Sequence, residues 1–408
     1  MSEGLMENGE LSVESGGSAW REVNLANAPV EILDGDRGKN YPKKNEFSDN
    51  GYCLFLNTKN VTSSGFNFSE LNFITEEKDC LLRKGKLERN DIVLTTRGTV
   101  GNVAFYNEGV DFENIRVNSG MVIIRPAGLH PVFNYQLFKF LTLDLSEFIS
   151  GSAQPQLPIR DLKQVIFKLP PLPEQKAIAD VLSALDDKID LLHCQNKTLE
   201  QMAETLFRQW FVVEAGEDWV EKPLSSVANF LNGLACQKFP PKNEVDKFPV
   251  LKIKQLRNGF SDECDWCTTE VKAEYIIENG DVIFSWSASL MVKIWDGDQC
   301  ILNQHLFKVT SDDFPKWYYY LWSKHHLAEF VSISSSHATT MGHIKRGDLD
   351  DAMVLVPSPE ESEEFSEIFT PLLDKIISNN KRLKNLTSLR DTLLPKLMSG
   401  EVRIASNG

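Results

Sequence analysis

The sequence predicts an α+β protein: two globular mixed α/β domains separated by an intramolecular antiparallel coiled coil of two long helices, on a pseudo-two-fold internal repeat. Three observations carry that expectation. The chain has 408 residues, too many for one ordinary domain and enough for two cores. An apolar stripe at steps of four and three residues runs through 178–210, the pattern of a long helix that pairs with another helix. The stripe returns at an offset of 187 residues, so each half of the chain ends in the same kind of helix.

Taken in order, residues 1–19 are acidic, with neither a basic start nor an apolar stretch. They are expected to form a disordered tail and not a secretory leader. The first globular domain is expected over 20–150, a linker loop and first spacer helix over 151–213, the second domain over 214–338, and a second loop and spacer helix over 339–408. The halves open alike, WREVNLANAPVEILDG from Trp20 and WVEKPLSSVANFLNG from Trp219, each a Trp followed by a short helix-like run closed by glycine.

Short β-like runs follow: CLFL, DIVLTT, NVAFY and GMVIIRP in the first half, then VLKIKQL, DVIFS, MVKIW and HLFKVT in the second. An Asp opens each central strand (Asp91, Asp281) after a turn residue (Asn90, Gly280), and an Asn opens each last strand (Asn118, Asn303). Aromatic-rich helical stretches come next, over 134–150 and 315–334, each followed by a small polar loop.

The first stripe consists of Ile178, Leu182, Leu185, Ile189, Leu192, Asn196, Leu199, Ala203, Leu206 and Trp210. The second has the same phase: Phe365, Phe369, Leu372, Ile376, Asn379, Leu383, Leu386, Arg390, Leu393 and Leu397, and its Asn is read as the counterpart of Asn196. Pro173 with Glu174, and Ser358 as N-cap with Pro359, mark the helix starts. At about 1.5 Å per residue the first stripe is on the order of 50 Å long. Because one domain lies between the helices in the chain, antiparallel pairing would leave a domain near each end. Pairing between two copies of the chain is the alternative, and it leaves the enclosed domain unexplained.

Composition narrows the function classes. With 42% hydrophobic and 25% charged residues the chain reads as a soluble globular protein, and no apolar run reaches the ~18 to 20 residues of a membrane span. Seven cysteines, an odd number scattered along the chain, suit a reducing cytoplasm. The net charge of −15 excludes a surface that is basic all over, so a nucleic-acid site must be a local cluster of cations or share its phosphates with a basic partner.

The duplicated globular segment, the LPPLPEQKAIADVLSALDDKID run at the first helix start, its weaker copy LLDKI, and the strand openings at 90–93 and 280–283 strongly resemble the specificity subunits of type I restriction-modification systems. The likeness covers about Trp20 to Glu401. It implies that each domain is a target-recognition domain for one half of a bipartite double-stranded DNA target, with the helices setting the unspecified gap. It also implies docking of two methyltransferase subunits and then motor/nuclease restriction subunits. S-adenosylmethionine and ATP are then expected in the partner subunits, with no cofactor and no metal in this chain. Side chains outside the stripe on the two helices, such as Asp186, Asp187 and Lys188, are implied docking candidates.

The residues themselves agree that the chain carries no chemistry. Neither Pro-Pro pair stands in the Asn/Asp-Pro-Pro-aromatic context that holds a flipped adenine, and no glycine-rich phosphate cradle is present. Cys264 and Cys267 form a C-x-x-C without a second pair and read as ordinary surface cysteines. Glu270 and Lys272 with Asp262 or Asp265 resemble a metal-nuclease set only faintly, and His325–His326 fits an ordinary helix.

Reading DNA requires cations for phosphates and forked donors for base edges. In the first domain the candidates are Arg37, Lys39, Lys43 and Lys44 in a Gly/Pro loop, Lys84 and Lys86 within a basic run, and Thr95, Thr96 and Arg97 at the end of the central strand. In the second domain they are Lys238, Lys252, Lys254, Arg257 and Trp286, since Ser287 and Ala288 replace Arg97 and Gly98. A non-catalytic protein-interaction scaffold with duplicated binding domains is the competing reading, favoured by the acidic balance.

Overall fold

The computed structural model describes residues 20–149, 151, 155–260, 264–336 and 342–404. The tail expected over 1–19, parts of both polar loops and Asp262 lie outside them. The described residues fall into two compact units, one made of the chain up to Asp187 together with the chain from Ser388, the other of Lys188–Thr387. Each long helix therefore contributes one segment to each unit.

In the first unit, Arg21–Asn24 pairs with Ile166–Leu169, which leads into the long helix. A four-stranded antiparallel sheet follows in the order Val30–Asp34, Met121–Pro126, Ile92–Thr95, Val103–Phe105. A smaller sheet carries Cys53–Leu56 between Phe73–Ile74 and Ile115–Val117, antiparallel to the former and parallel to the latter. The second unit repeats this plan. Val220–Pro223 pairs with Met353–Val356, the main sheet runs Asn229–Asn232, Leu306–Thr310, Val282–Ser285, Met291–Ile294, and the smaller one holds Lys247–Leu251 beside Cys300–Leu302 in parallel.

Equivalent contacts hold equivalent corners. The Trp20 indole donates to Glu174 at 3.0 Å, and the Trp219 indole donates to Glu361 at 3.1 Å. A Cβ on Gly35 would lie 2.4 Å from the Asn118 carbonyl oxygen, and one on Gly233 would lie 2.3 Å from that of Asn303. Only glycine lets these backbones approach so closely.

The long helices span Leu172–Arg208 and Pro359–Ser399, the first continuing as a π-helical turn over Gln209–Val213. Ser358 caps the second, accepting from the Glu361 amide at 3.3 Å while Glu361 accepts from the Ser358 amide at 2.9 Å. The helices pair in opposite directions. In the first unit Arg390 meets Asp186 at 3.2 Å, with Ile178 and Leu182 in one core with Leu394 and Leu397. In the second, Ile189, Leu192, Leu383 and Leu386 form one cluster. There Asn379 donates to Asn196 at 2.9 Å and Asn196 to Asn380 at 2.6 Å.

The stripe is wider than the heptad pattern, because the helices also cover the domains. Phe207 and Phe211 pack with Trp317, Trp322 and Phe369 in the second core, and Met398 joins the first. The recurring Asn is not at the equivalent position: the offset of 187 carries Asn196 to Leu383, and Leu192 to Asn379.

Three local expectations are corrected. The runs after Trp20 and Trp219 are strand, one short helical turn and a second strand. Pairing with distant strands and the missing donors of Pro29 and Pro223 prevent a continuous helix there. VLKIKQL ends as a strand at Leu251 and becomes the helix Ile253–Asn258, which turns Leu256 into the core. The aromatic stretch of the first half begins earlier, as Pro131–Leu141, with proline at its first position.

Candidate nucleic-acid interface

One corner recurs in both units, where the central strand of the main sheet ends. At the start of that strand Asn90 and Gly280 have φ of 75° and 95°, and the following Asp accepts the amide of Glu88 at 2.7 Å or of Glu278 at 2.8 Å. At its far end the polar loop that precedes the long helix folds back onto the turn. Arg97 bridges to Gln156 and Ser287 to His343. The Leu157 amide donates to the Thr96 carbonyl at 2.9 Å and the Ile344 amide to that of Trp286 at 3.0 Å. The turn itself passes through positive φ at Gly98 (74°) and Ala288 (56°).

In the first unit this corner forms a cleft of about 260 Å³ lined by Asp34, Arg37, Thr96, Arg97 and Gln156. Arg37 is exposed, pairs with Asp34 at 3.1 Å and donates to the Ser119 carbonyl at 3.4 Å. Asp36 is 5% exposed and ties the two basic segments together, accepting from the amides of Gly38 at 2.6 Å and Arg83 at 2.8 Å. Burial raises the Asp36 carboxyl, and those backbone donors outweigh it and hold it below its ordinary value. Lys39, Lys43, Lys44 and Lys84 are exposed around this framework.

Three expectations for this unit do not survive. Thr95 and Thr96 are buried; the Thr95 hydroxyl donates to the Thr99 carbonyl and accepts from Asn102, and the Thr96 hydroxyl donates to the Gly120 carbonyl. They build the turn that presents Arg97 and have no hydroxyl left for a base. Lys86 is bound to Asp79, which also holds Arg116 in the smaller sheet. Burial opposes the charge on Lys86, but the Asp79 contact outweighs it and keeps the ammonium above its ordinary value. Burial, helped by the same carboxylate, pushes the Cys53 thiol up to about 12.

In the second unit the equivalent corner opens into a cleft of about 870 Å³. Lys252 and Lys254 line it, with Trp266, Ser287, Gln304 and His305. Lys252 pairs with Asp265 at its edge. Lys238 and Arg257 are exposed, the first beside the cleft residue Gln237 and the second on the helix Ile253–Asn258. Trp286 is turned inward instead, stacked on Phe307 at 5.7 Å and packed against the second core. Among the described residues its indole N–H has no hydrogen-bond partner. Cys267 is not a surface cysteine. It is buried in the smaller sheet with Cys236, and burial raises its thiol. Among the described residues no three His, Cys, Asp or Glu side chains gather as a metal site, and no helix is long and apolar enough to cross a membrane.

The profile of the type I restriction modification DNA specificity domain matches residues 30–201 and again 216–388. The chain belongs to this family. Its two copies of the domain coincide with the two repeats of the fold. The MjaIX specificity subunit of Methanocaldococcus jannaschii is 28% identical over 361 residues, covering 81% of this chain and 82% of its own length. The HindI specificity subunit of Haemophilus influenzae is 20% identical across 94% of this chain and all of its own. The EcoKI specificity subunit of Escherichia coli is 23% identical across 90% and 86%. In fold, the chain is similar to the crystal structure of a type I restriction-modification S subunit from M. genitalium, with a TM-score of 0.59 over 95% of this chain and 98% of that one at 16% identity. As a specificity subunit this chain recognises DNA within a multisubunit assembly and is not itself the catalyst.

Sequence reasoning passed over the cleft residues Gln237, Gln304 and His305, which belong to no basic cluster and no motif; for the last two a weak signal was the Asn that opens the last strand, since Asn303 closes the turn that carries them.

Proposed function

We propose that each unit of this specificity subunit reads one half of a bipartite double-stranded DNA target, and that the paired helices fix the unspecified gap between the halves. The single observation that carries this is the recurrence of one framework, strand-end turn plus returning loop, around two clefts lined by different side chains. In the first unit Arg37 and Arg97 would reach the bases, with Lys39, Lys43, Lys44 and Lys84 on phosphates. In the second, Lys238, Lys252, Lys254 and Arg257 would take the phosphates. The chain would act with two methyltransferase subunits carrying S-adenosylmethionine, joined by motor/nuclease restriction subunits that use ATP. Exposed positions along the helices, including Asp187 and Lys188, are the proposed docking face; Asp186 is instead engaged by Lys139 and Arg390.

Methylome sequencing of cells expressing the chain with its methyltransferase subunit tests the reading: a two-part motif with a constant gap is expected, and a continuous motif or none would overturn it. The gap has its own test. Four residues inserted between Asn196 and Thr198 add roughly 6 Å of helix, so the gap should lengthen by one or two base pairs at about 3.4 Å each. An unchanged gap would remove the helices from that role.

A further inference from the structure

The two reading corners are filled from opposite turns. In the first unit the side chain comes from the central-strand turn, Arg97, while the facing turn before the last strand offers Ser119 and Gly120. A Cβ on Gly120 would lie 3.8 Å from that of Arg97 and 2.9 Å from Thr58 Cγ2, so the short Ser119 side chain is all that turn offers where the second unit has Gln304 and His305. In the second unit the central-strand turn is reduced to Ser287 and Ala288, and the facing turn carries Gln304 and His305 into the cleft.

That second turn is rigid. The Gln304 amide donates to the Leu234 carbonyl at 2.9 Å, the Leu306 amide to the Asn303 carbonyl at 2.9 Å and the Asn303 amide to the Leu251 carbonyl at 3.2 Å, while Gly233 abuts Asn303 from behind. The side chains are chained as well: the Ser287 hydroxyl lies 3.4 Å from His305 Nδ1, and His305 Nε2 lies 3.3 Å from the Gln304 amide nitrogen. Gln304 is half-buried and His305 exposed. A carboxamide held by a neighbour on a pinned backbone is a pre-set donor and acceptor pair.

We propose that Gln304 is the base-reading group of the second unit, held in place by His305 and Ser287, and that the base it reads is adenine. The inference rests on the reading of the two units as DNA-recognition domains. A carboxamide matches adenine N6 and N7 in the major groove, whereas a guanidinium such as that of Arg97 matches guanine O6 and N7. The two half-targets therefore differ in chemistry at the central contact, an A·T pair under Gln304 and a G·C pair under Arg97.

The test is competition binding of randomised duplexes, at one fixed salt concentration, by the chain assembled with its methyltransferase subunits. Gln304→Ala is expected to weaken the preference for A·T at one position of one half by about fivefold to about a hundredfold. The other half keeps its preference, which shows that the variant is folded. Gln304→Glu is expected to move that position toward C·G, because a carboxylate accepts from cytosine N4. His305→Ala should soften the same position and no other; softening elsewhere or nowhere removes it from the set. A Gln304→Ala complex with every preference intact, with uniform weakening, or with relaxation at a G·C pair overturns the inference and leaves the two-half reading standing if the wild-type complex still selects a two-part target. A wild-type complex without sequence preference overturns the two-half reading instead.

Discussion

The smaller sheets of the two units sit at the same place in the repeat and are stabilised by different physics. In the first unit the strand Ile115–Val117 carries Arg116, 6% exposed, bound to Asp79, 4% exposed, and to the carbonyls of Asp79, Leu82 and Lys84. In the second the equivalent residue is Ile301, among Cys236, Val250 and Cys267. The main sheets differ less. Asp91 binds Arg125 through both oxygens, and Asp281 binds Lys308 at 2.7 Å, so the same turn is closed by a cation in both. The Trp to Glu contacts at the helix starts coincide as well. Divergence is thus concentrated in the smaller sheets, while the turn that opens the central strand and the contacts at the helix starts are shared.

The buried ion pair gives the sharpest way to break this contrast. Removing one partner of such a pair costs about 3 to 5 kcal/mol, because the other charge stays buried without compensation. Arg116→Met is expected to lose that much from the first unit in chemical denaturation, and the double change Arg116→Met with Asp79→Leu to lose much less, since it imitates the apolar second unit. Ile301→Val should cost only about 0.5 to 1.5 kcal/mol. Similar losses at Arg116 and Ile301 would show that the pair is not the stabilising feature.

Acid should separate the units in the same direction. Burial raises the Asp79 carboxyl, yet its hydrogen bonds from Lys86 and Arg116 outweigh that and leave it below the ordinary 3.8. A lowered carboxyl stabilises the fold fully above its unfolded value and loses that contribution as pH falls through the lowered one. Hydrogen exchange in the first unit's smaller sheet should therefore accelerate below about pH 4 more than in the second's. Equal acceleration in both would count against the assignment.

A mid-sized effect is expected from the helix pair, where the repeat again contains two unlike layers. Asn196 and Asn379 meet beside Leu192 and Leu383, the residues that the 187-residue offset makes their equivalents. Asn196→Leu leaves the buried Asn379 amide without its acceptor, an expected loss of about 1 to 3 kcal/mol. Asn196→Leu with Asn379→Leu should recover it, at the expense of the fixed register that a buried Asn imposes. Thermal unfolding of the single and double variants distinguishes this from a double variant as unstable as the single one.

The helices, the repeat and the main-sheet strands were legible in the sequence because each depends on local periodicity or on a residue with one backbone preference, as at Asn90 and Gly280. The candidate reading corner was only half legible. Arg97 stood out as a cation between Thr and Gly. Thr95 and Thr96 looked equally available, because whether a hydroxyl turns toward Gly120 or toward solvent depends on strand pairing between distant segments. Gln304 and His305 acquire meaning only when the last-strand turn folds against Ser287, and a lone sequence contains no sign of that encounter. Lys86 and Trp286 misled for the same reason, their partners Asp79 and Phe307 being chosen by packing.

The smallest expected difference tests the turn at the end of the central strand. Gly98 and Ala288 both occupy the left-handed region, and a Cβ at Gly98 would meet nothing nearer than Thr58 Oγ1 at 4.0 Å, so backbone strain alone decides. Left-handed strain of about 1 to 2 kcal/mol for a residue with a Cβ is offset by about 0.4 to 1 kcal/mol from the stiffer unfolded chain. Gly98→Ala should therefore destabilise by somewhat under about 1 kcal/mol, and Ala288→Gly should stabilise by a similar amount. Opposite signs in paired thermal unfolding are the expected result. Equal signs would mean that the two turns, alike in dihedral angle, are held by their returning loops in different ways, and that Ala288 is kept in place by contacts a glycine would lose.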